Sequence, residues 1–136
     1  MNYNSLCFKC FSEKPSANVP CPKCGHMNQT PQISRSCLRA GTLLNHRYIV
    51  GVALGIGGFG ITYRCFDMKI GGICAVKEFF PGHMGVRNVS ANDYNSKVIT
   101  ISQQDSEKYH YIINRFVQEA ELLRTLDHKN IIKVYD

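Results

Sequence analysis

The sequence predicts an α+β protein in which an antiparallel β-sheet precedes one long helix, with a small cysteine-rich unit in front of the sheet. Three runs rich in β-branched and aromatic residues follow one another with short connections, at 48–54, 61–66 and 73–80. Such runs predict an antiparallel meander. Between residues 109 and 126, apolar side chains recur at spacings of three and four, which is the period of an amphipathic helix.

Turn residues mark the ends of the expected strands. Asp67–Gly72 separates the second strand from the third, and Pro81-Gly82 closes the third. The stretch 81–105 is polar and irregular, apart from a short strand-like run at 98–101. A further apolar run at 131–135 predicts another strand after the helix.

The helix has clear limits in the sequence. Asp105 or Ser106 can cap its start, and Asp127–Asn130 ends it. The apolar stripe consists of Tyr109, Ile112, Ile113, Phe116, Val117, Ala120, Leu123 and Leu126.

Composition divides the chain into three intervals. Residues 1–28 are punctuated by cysteines and lack apolar periodicity, so they predict a small separate unit. Residues 29–45 contain Gln, Thr, Pro, Ser, Arg and Gly and have the composition of a linker. Residues 46–136 have globular patterning.

Length and composition limit the class of protein. A chain of 136 residues with 44% hydrophobic and 19% charged residues allows one modest domain plus an appendage. No apolar run approaches the ~18 residues that span a bilayer, and the polar N-terminus has no signal-peptide core. We therefore expect no membrane segment in this chain and a cytoplasmic location. Seven cysteines cannot all pair within one chain, which favours metal binding and free thiols in a reducing compartment.

Glycines 55, 57 and 60 form the pattern G-x-G-x-x-G, which alone also fits a dinucleotide-binding loop or a plain hairpin turn. A dinucleotide-binding loop needs a helix directly after the third glycine, whereas residues 61–63 are Ile-Thr-Tyr and favour a strand. A G-K-[ST] ending is also missing, so the segment is not a P-loop. In a glycine-rich hairpin, backbone N–H groups can approach phosphate oxygens closely. Phe59 at the tip can fold under the loop and shield the phosphates from water.

A cation must follow such a loop to bind a triphosphate. Lys77 lies on the third expected strand, and the alternation of a strand places Ala75 on the same face. The small Ala75 leaves room for adenine, and Lys77 can reach the phosphates. A buried lysine needs a counterion, and Glu119 lies beside the apolar stripe of the helix. Glu121 lies about 200° further round the helix and is the weaker candidate.

These segments together resemble the small lobe of a serine/threonine protein kinase of bacterial type. The resemblance is carried by the GGFG-x-TY segment at 57–63, Ala75-Val76-Lys77 with the Glu-Phe-Phe-Pro that follows, Phe116-x-x-Glu119-Ala120, and Leu126-x-His128-x-Asn130-Ile131-Ile132. It covers residues 46–136 and implies the fold of that lobe, an antiparallel sheet with one long helix.

The resemblance also implies a site for ATP, with magnesium in the complete kinase. The implied catalytic residues are Lys77 and Glu119, which form an ion pair. The implied ATP-binding residues are Leu54, Gly55, Ile56, Gly57, Gly58, Phe59, Gly60, Ile61, Thr62, Ala75 and Lys77. Thr62 stands where the family usually has a valine against the adenine, and the interval from Lys77 to Glu119 is long for the family.

Phosphoryl transfer needs further groups that kinases carry in H-R-D and D-F-G motifs, and this sequence contains neither. It also ends before the hinge strand that binds adenine. We expect the front part of a larger kinase that transfers the γ-phosphate of ATP to protein hydroxyls. The alternative is a non-catalytic kinase-like scaffold or regulatory module. Coding sequence beyond codon 136 would distinguish the two.

Cys7-x-x-Cys10 and Cys21-x-x-Cys24 are separated by ten residues. Each pair can form a knuckle, and two knuckles complete a tetrahedral Cys₄ zinc site. The segment resembles a zinc ribbon, with two disulfides or free thiols as alternatives. Its expected role is docking, to a partner protein, to the kinase lobe or to nucleic acid. Residues 1–45 hold five basic residues and Glu13, a charge of +4. Zinc thiolates would reduce it to about +2, which argues against nucleic acid.

Overall fold

The computed structural model describes residues 5–82, 85–88, 98–101 and 106–136. The polar stretch 1–4 and Asp105, one of the two expected helix caps, lie outside the described residues. Among the described helices, none has the length and apolarity that crossing a bilayer requires.

Within the described residues, the main sheet has four antiparallel strands in chain order, and a second sheet is a two-stranded hairpin. The elements are β1 (Leu43–Leu44), β2 (Tyr48–Ile56), β3 (Gly60–Asp67), β4 (Gly72–Phe79), β5 (Gly85–Asn88), β6 (Val98–Ile101) and α1 (Ser106–Thr125). The predicted α+β class, the meander, the strand at 98–101 and the helix are confirmed.

Two strands were not predicted from the sequence. β1 has two residues and exists through its pairing with β2, where Leu43 faces Ile49. β5 contains Gly85, Arg87 and Asn88, and it becomes a strand because it pairs with β6. In both cases a segment with a weak intrinsic preference for β-structure forms a strand because a neighbouring strand pairs with it.

The predicted strand at 131–135 is wrong, because this segment has no strand assignment in the described structure. A strand needs a hydrogen-bonded neighbour. The N–H of Ile131 instead closes a turn onto the carbonyl oxygen of His128 at 3.0 Å. The carboxylate of Asp136 bonds to Arg47 and Tyr48.

The core on one face of the sheet includes residues from the interval 29–45. Cys37 and Leu38 are buried against β2 and β3, and Thr42 is also buried. The buried members of this cluster are Cys37, Leu38, Val50, Ile61, Tyr63, Cys65 and Phe80. The domain bounds themselves stay a prediction, but residues 37–42 are built into the lobe. The sequence does not predict this packing, because only a few of these residues are apolar and the composition resembles that of a linker.

The cysteine-rich segment also packs on the sheet. Leu6 and Phe11 form a second buried cluster with Ile49 of β2 and Phe66 of β3. The rings of Phe11 and Phe66 have centroids 5.7 Å apart. The segment and the sheet therefore share a hydrophobic core.

Candidate functional site

The glycine-rich segment forms the hairpin loop between β2 and β3. The N–H of Gly57 bonds to the carbonyl oxygen of Gly60 at 2.8 Å and closes the loop. The N–H of Phe80 bonds to the carbonyl oxygen of Phe59 at 3.1 Å, which ties the loop to the end of β4. The loop and the lysine-bearing strand are therefore held side by side.

The glycines of this loop serve two different needs. A Cβ on Gly60 would lie 2.3 Å from the carbonyl oxygen of Glu78, so only glycine fits there. A Cβ on Gly55 or Gly58 would meet nothing within 4 Å, and one on Gly57 would make an ordinary contact of 3.7 Å. None of these three has a left-handed φ. The packing of the described chain therefore does not require them, and they leave a bare backbone surface of the kind that phosphate groups approach.

Lys77 and Glu119 form an ion pair between the sheet and the helix. Lys77 Nζ lies 3.0 Å from Glu119 Oε1 and 5.2 Å from the centroid of the Phe116 ring. The expectation that Lys77 is buried is wrong, since its side chain is 47% exposed and that of Glu119 is 57% exposed. The reason is that no residue of α1 is buried, and Phe79 meets the helix through the rings of Tyr109 and Phe116.

The sheet presents one face to this ion pair. Along β4, Ala75 and Lys77 lie on the same exposed face, as the alternation predicted. Thr62 faces Lys77 across the β3–β4 ladder. Leu54, near the end of β2, is more than half exposed. Ile56 is also more than half exposed, but it pairs with Ile61, whose side chain points to the opposite face of the sheet.

Two of the predicted nucleotide-binding residues have side chains that do not face Lys77 in the expected way. Ile61 is fully buried in the core on the opposite face of the sheet, because strand alternation turns it away from Thr62. Its side chain is not brought to the site. Phe59 is 55% exposed at the loop tip and does not fold under the loop.

The cysteine pairs meet in one cluster. The sulfur atoms of Cys7, Cys10, Cys21 and Cys24 all lie within 4.8 Å of one another. Cys7 Sγ lies 3.6 Å from Cys24 Sγ, and Cys10 Sγ lies 3.6 Å from Cys21 Sγ. A disulfide would require about 2.05 Å, whereas a tetrahedral metal with bonds of about 2.3 Å to sulfur separates its ligands by roughly 3.8 Å. These thiols are therefore arranged to hold one metal ion.

The two knuckles have the same backbone geometry. The N–H of Phe11 bonds to the carbonyl oxygen of Cys7, and that of Gly25 bonds to the carbonyl oxygen of Cys21, both at 2.8 Å. Phe11 and Gly25 occupy equivalent positions and both have left-handed backbones, with φ of 57° and 71°. The two turns therefore present their cysteine pairs in the same way.

Sequence reasoning missed a polar network on the face of β4 opposite Lys77. Glu78 Oε2 accepts hydrogen bonds from the hydroxyl of Tyr63 at 2.9 Å and from Arg87 at 2.7 Å. Arg87 also donates to the carbonyl oxygen of Ser36 at 2.6 Å. Strand alternation predicts that the side chain of Glu78 points away from the Lys77 face. No sequence pattern indicates that it bonds to Arg87, 9 residues away, or to Tyr63, 15 residues away.

Comparisons with known proteins agree with this architecture. No family model matches the chain. The chain is 29% identical over 94 residues to "Probable serine/threonine-protein kinase YbdM" of Bacillus subtilis and 26% identical over 102 residues to MAP3K epsilon protein kinase 1 of Arabidopsis thaliana. The matches cover 69% and 75% of this chain, but only 28% and 6% of those proteins.

A solved structure of PpkA-294 in its apo form has a similar fold. It superimposes with a TM-score of 0.61 at 29% identity, over 69% of this chain and 31% of that protein. The names of these relatives, one a probable serine/threonine-protein kinase and the other a protein kinase, agree with the shared fold, the glycine loop and the Lys77–Glu119 pair. The sheet and helix of this chain have the architecture of a kinase small lobe and are similar to serine/threonine protein kinases of bacterial type.

Proposed function

We propose that this chain supplies the ATP-binding part of a kinase that transfers the γ-phosphate of ATP to serine or threonine hydroxyls of proteins. The observation that carries the proposal is the 3.0 Å ion pair between Lys77 and Glu119, on the exposed sheet face next to the glycine loop. The bare backbone at Gly55, Gly57 and Gly58 supports it, since the lobe itself has no need of glycine there.

Each group has a defined task in this proposal. The N–H groups of the loop bind phosphate oxygens, and Lys77 binds the α- and β-phosphates while Glu119 holds its ammonium group in place. Leu54, Thr62 and Ala75 contact the adenine. Magnesium, when bound in the complete kinase, neutralises negative charge on the phosphates.

The exposure of the ion pair favours a binding role over a structural one. Exposed ion pairs contribute only about 0.2–1 kcal/mol to stability, and both partners here are close to half exposed or more. Removal of Lys77 is therefore expected to leave the fold intact, so that a loss of binding can be assigned to the site.

The test is a titration of this chain with MgATP, followed by NMR chemical shifts because these detect weak as well as tight binding. Lys77→Ala should weaken binding by roughly tenfold or more, equivalent to ~1.4 kcal/mol. Lys69→Ala is the matched control, because Lys69 is an exposed lysine in the β3–β4 turn at the far end of β3. Equal affinity in wild-type protein and Lys77→Ala would contradict the proposed role of the lysine.

We further propose that the ion held by the four cysteines is zinc, which favours tetrahedral thiolate sites. A reducing compartment such as the cytosol, which the cysteine content predicts, would keep these thiols available. Protein purified without chelators should contain close to one zinc per chain by elemental analysis. Cys10→Ser with Cys24→Ser should contain none, whereas Cys74→Ser outside the cluster should retain it. A metal content near zero in the wild-type chain would refute the zinc site.

A further inference from the structure

The hydrogen-bond ladder between β2 and β3 is interrupted just before the glycine loop. The register shifts between Val50 and Ala53 and again between Ala53 and Gly55. Backbone groups at such irregularities lose their regular strand partners. Buried backbone groups must be bonded elsewhere, and the N-terminal part of this chain supplies the partners.

The first metal-binding knuckle and Gln32 replace the missing strand partners. The N–H of Val52 bonds to the carbonyl oxygen of Phe8, between Cys7 and Cys10, at 3.1 Å. The side-chain amide of Gln32 donates to the carbonyl oxygen of Gly51 and accepts from the N–H of Ala53, both at 2.9 Å. This amide bonds to β2 as the backbone of a neighbouring strand would.

The contact between knuckle and strand is close enough to restrict the sequence. A Cβ on Gly51 would lie 2.2 Å from the carbonyl oxygen of Phe8 and 2.8 Å from the ring of Phe11. Any side chain at this position would push the knuckle away from β2.

Phe11 shows that docking, as well as metal geometry, shaped the knuckle. It has a left-handed φ of 57°, a strained conformation for an aromatic residue, where the second knuckle has Gly25. The residue is nevertheless only 8% exposed, and it packs on Phe66 and Ile49 of the sheet. Phe11 thus occupies the position that is a glycine in the second knuckle, and the packing of its ring on the sheet gives a reason for a phenylalanine there.

From these contacts we propose that the metal-bound knuckle is an internal brace of β2, the strand that leads into the glycine loop, and that Phe8, Phe11 and Gln32 are its positioning residues. Metal binding fixes the knuckle, the knuckle holds the irregular part of β2, and β2 sets where the loop begins. The inference rests on the proposed metal site. A separate protein partner for the knuckle would have to compete with the contacts at Val52 and Gly51.

Amide hydrogen exchange of the full chain, measured residue by residue by NMR, tests the brace. Removal of zinc with a chelator, verified by metal analysis, should speed exchange at Val52 by roughly tenfold or more. Amides of the β3–β4 ladder should keep their rates. An unchanged rate at Val52 in metal-free protein would overturn the coupling between metal and strand.

A second variant tests the Gln32 part of the brace, even if metal removal unfolds the whole chain. In zinc-loaded Gln32→Ala, Ala53 should exchange roughly tenfold faster while the zinc content stays the same. Gln29→Ala is the matched control, because the Gln29 amide bonds to Ala17 and Asn18 within the N-terminal segment. Full protection of Ala53 in Gln32→Ala would overturn the role of Gln32.

The readouts keep the two proposals separate. If the chain binds no zinc, the metal site fails. If it binds zinc and the rates at Val52 and Ala53 do not respond, the brace fails and the metal site stands. Neither the zinc content nor the exchange rates depend on nucleotide binding. Failure of either proposal therefore leaves the proposed function of the glycine loop unaffected.

Discussion

At the scale of single residues, the glycine loop combines two requirements that look identical in the sequence. Gly60 is needed because β4 passes directly beneath it, with the carbonyl oxygen of Glu78 where a Cβ would lie. Gly58 has open space around it. The same residue type therefore serves packing at one position and, in the proposed function, phosphate binding at the other.

Gly60→Ala is expected to destabilise the lobe by about 2 kcal/mol, within the usual range for overpacking, because the obstructing atom is backbone and cannot rotate away. Urea denaturation of the variant measures the loss. The matched change Gly58→Ala should alter the free energy of unfolding by less than about 0.5 kcal/mol and weaken MgATP binding instead. A Gly60→Ala protein as stable as wild type would contradict the close contact.

At the scale of elements, β4 has different chemistry on its two faces. Lys77 is on the exposed face, and Glu78 points to the other, where it bonds to Tyr63 and Arg87. Burial raises the pKa of Tyr63, so its hydroxyl remains protonated and donates to Glu78. The same hydroxyl accepts a hydrogen bond from the N–H of Leu38 at 2.8 Å. The network joins β3, β4 and β5 to the buried segment before β1.

Removing one partner of the Arg87–Glu78 pair should be costly, because the arginine side chain is only 2% exposed. Glu78→Leu is expected to lower the free energy of unfolding by about 3 kcal/mol, near the lower limit for broken buried pairs, since Glu78 remains 18% exposed. The double variant Glu78→Leu with Arg87→Leu should lose clearly less than the sum of the two single changes. Urea denaturation of all four proteins measures this.

Glu121→Leu serves as the control for that cycle, since Glu121 is exposed on α1. We expect it to change stability by less than about 0.5 kcal/mol. Strict additivity of the Glu78 and Arg87 effects would show that the two side chains do not stabilise each other.

At the scale of the whole molecule, the elements that could be predicted from the sequence were those whose apolar residues recur at the regular spacing of a strand or a helix. The alternation in β4 and the spacing of three and four in α1 predicted both elements and brought Lys77 and Glu119 together. The prediction of a strand at 131–135 was wrong because the local composition favours a strand but does not show whether a partner strand is present to pair with it.

Contacts across long sequence distances could not be predicted in this way. Gln32 meets Gly51 and Ala53 across 19 and 21 residues, and nothing in a polar, linker-like stretch distinguishes this glutamine from Gln29. Phe11 follows a cysteine pair whose metal-binding pattern explains the turn but not the aromatic ring. The way in which the N-terminal segment covers the lobe is therefore a finding of the structure.

The bonding of β2 has a consequence for contacts between separate molecules. Exposed edge strands tend to pair with edges of other chains, and β1 covers only a short part of β2. Further along, Thr42 accepts from the N–H of Val50 at 2.8 Å, and Phe8 and Gln32 occupy the groups of the next three residues. With those groups engaged, residues 50–53 of β2 are less available for pairing with a strand of a second copy. The N-terminal segment is thus expected to disfavour strand addition at this part of β2, whereas β4 forms the other edge of the described sheet.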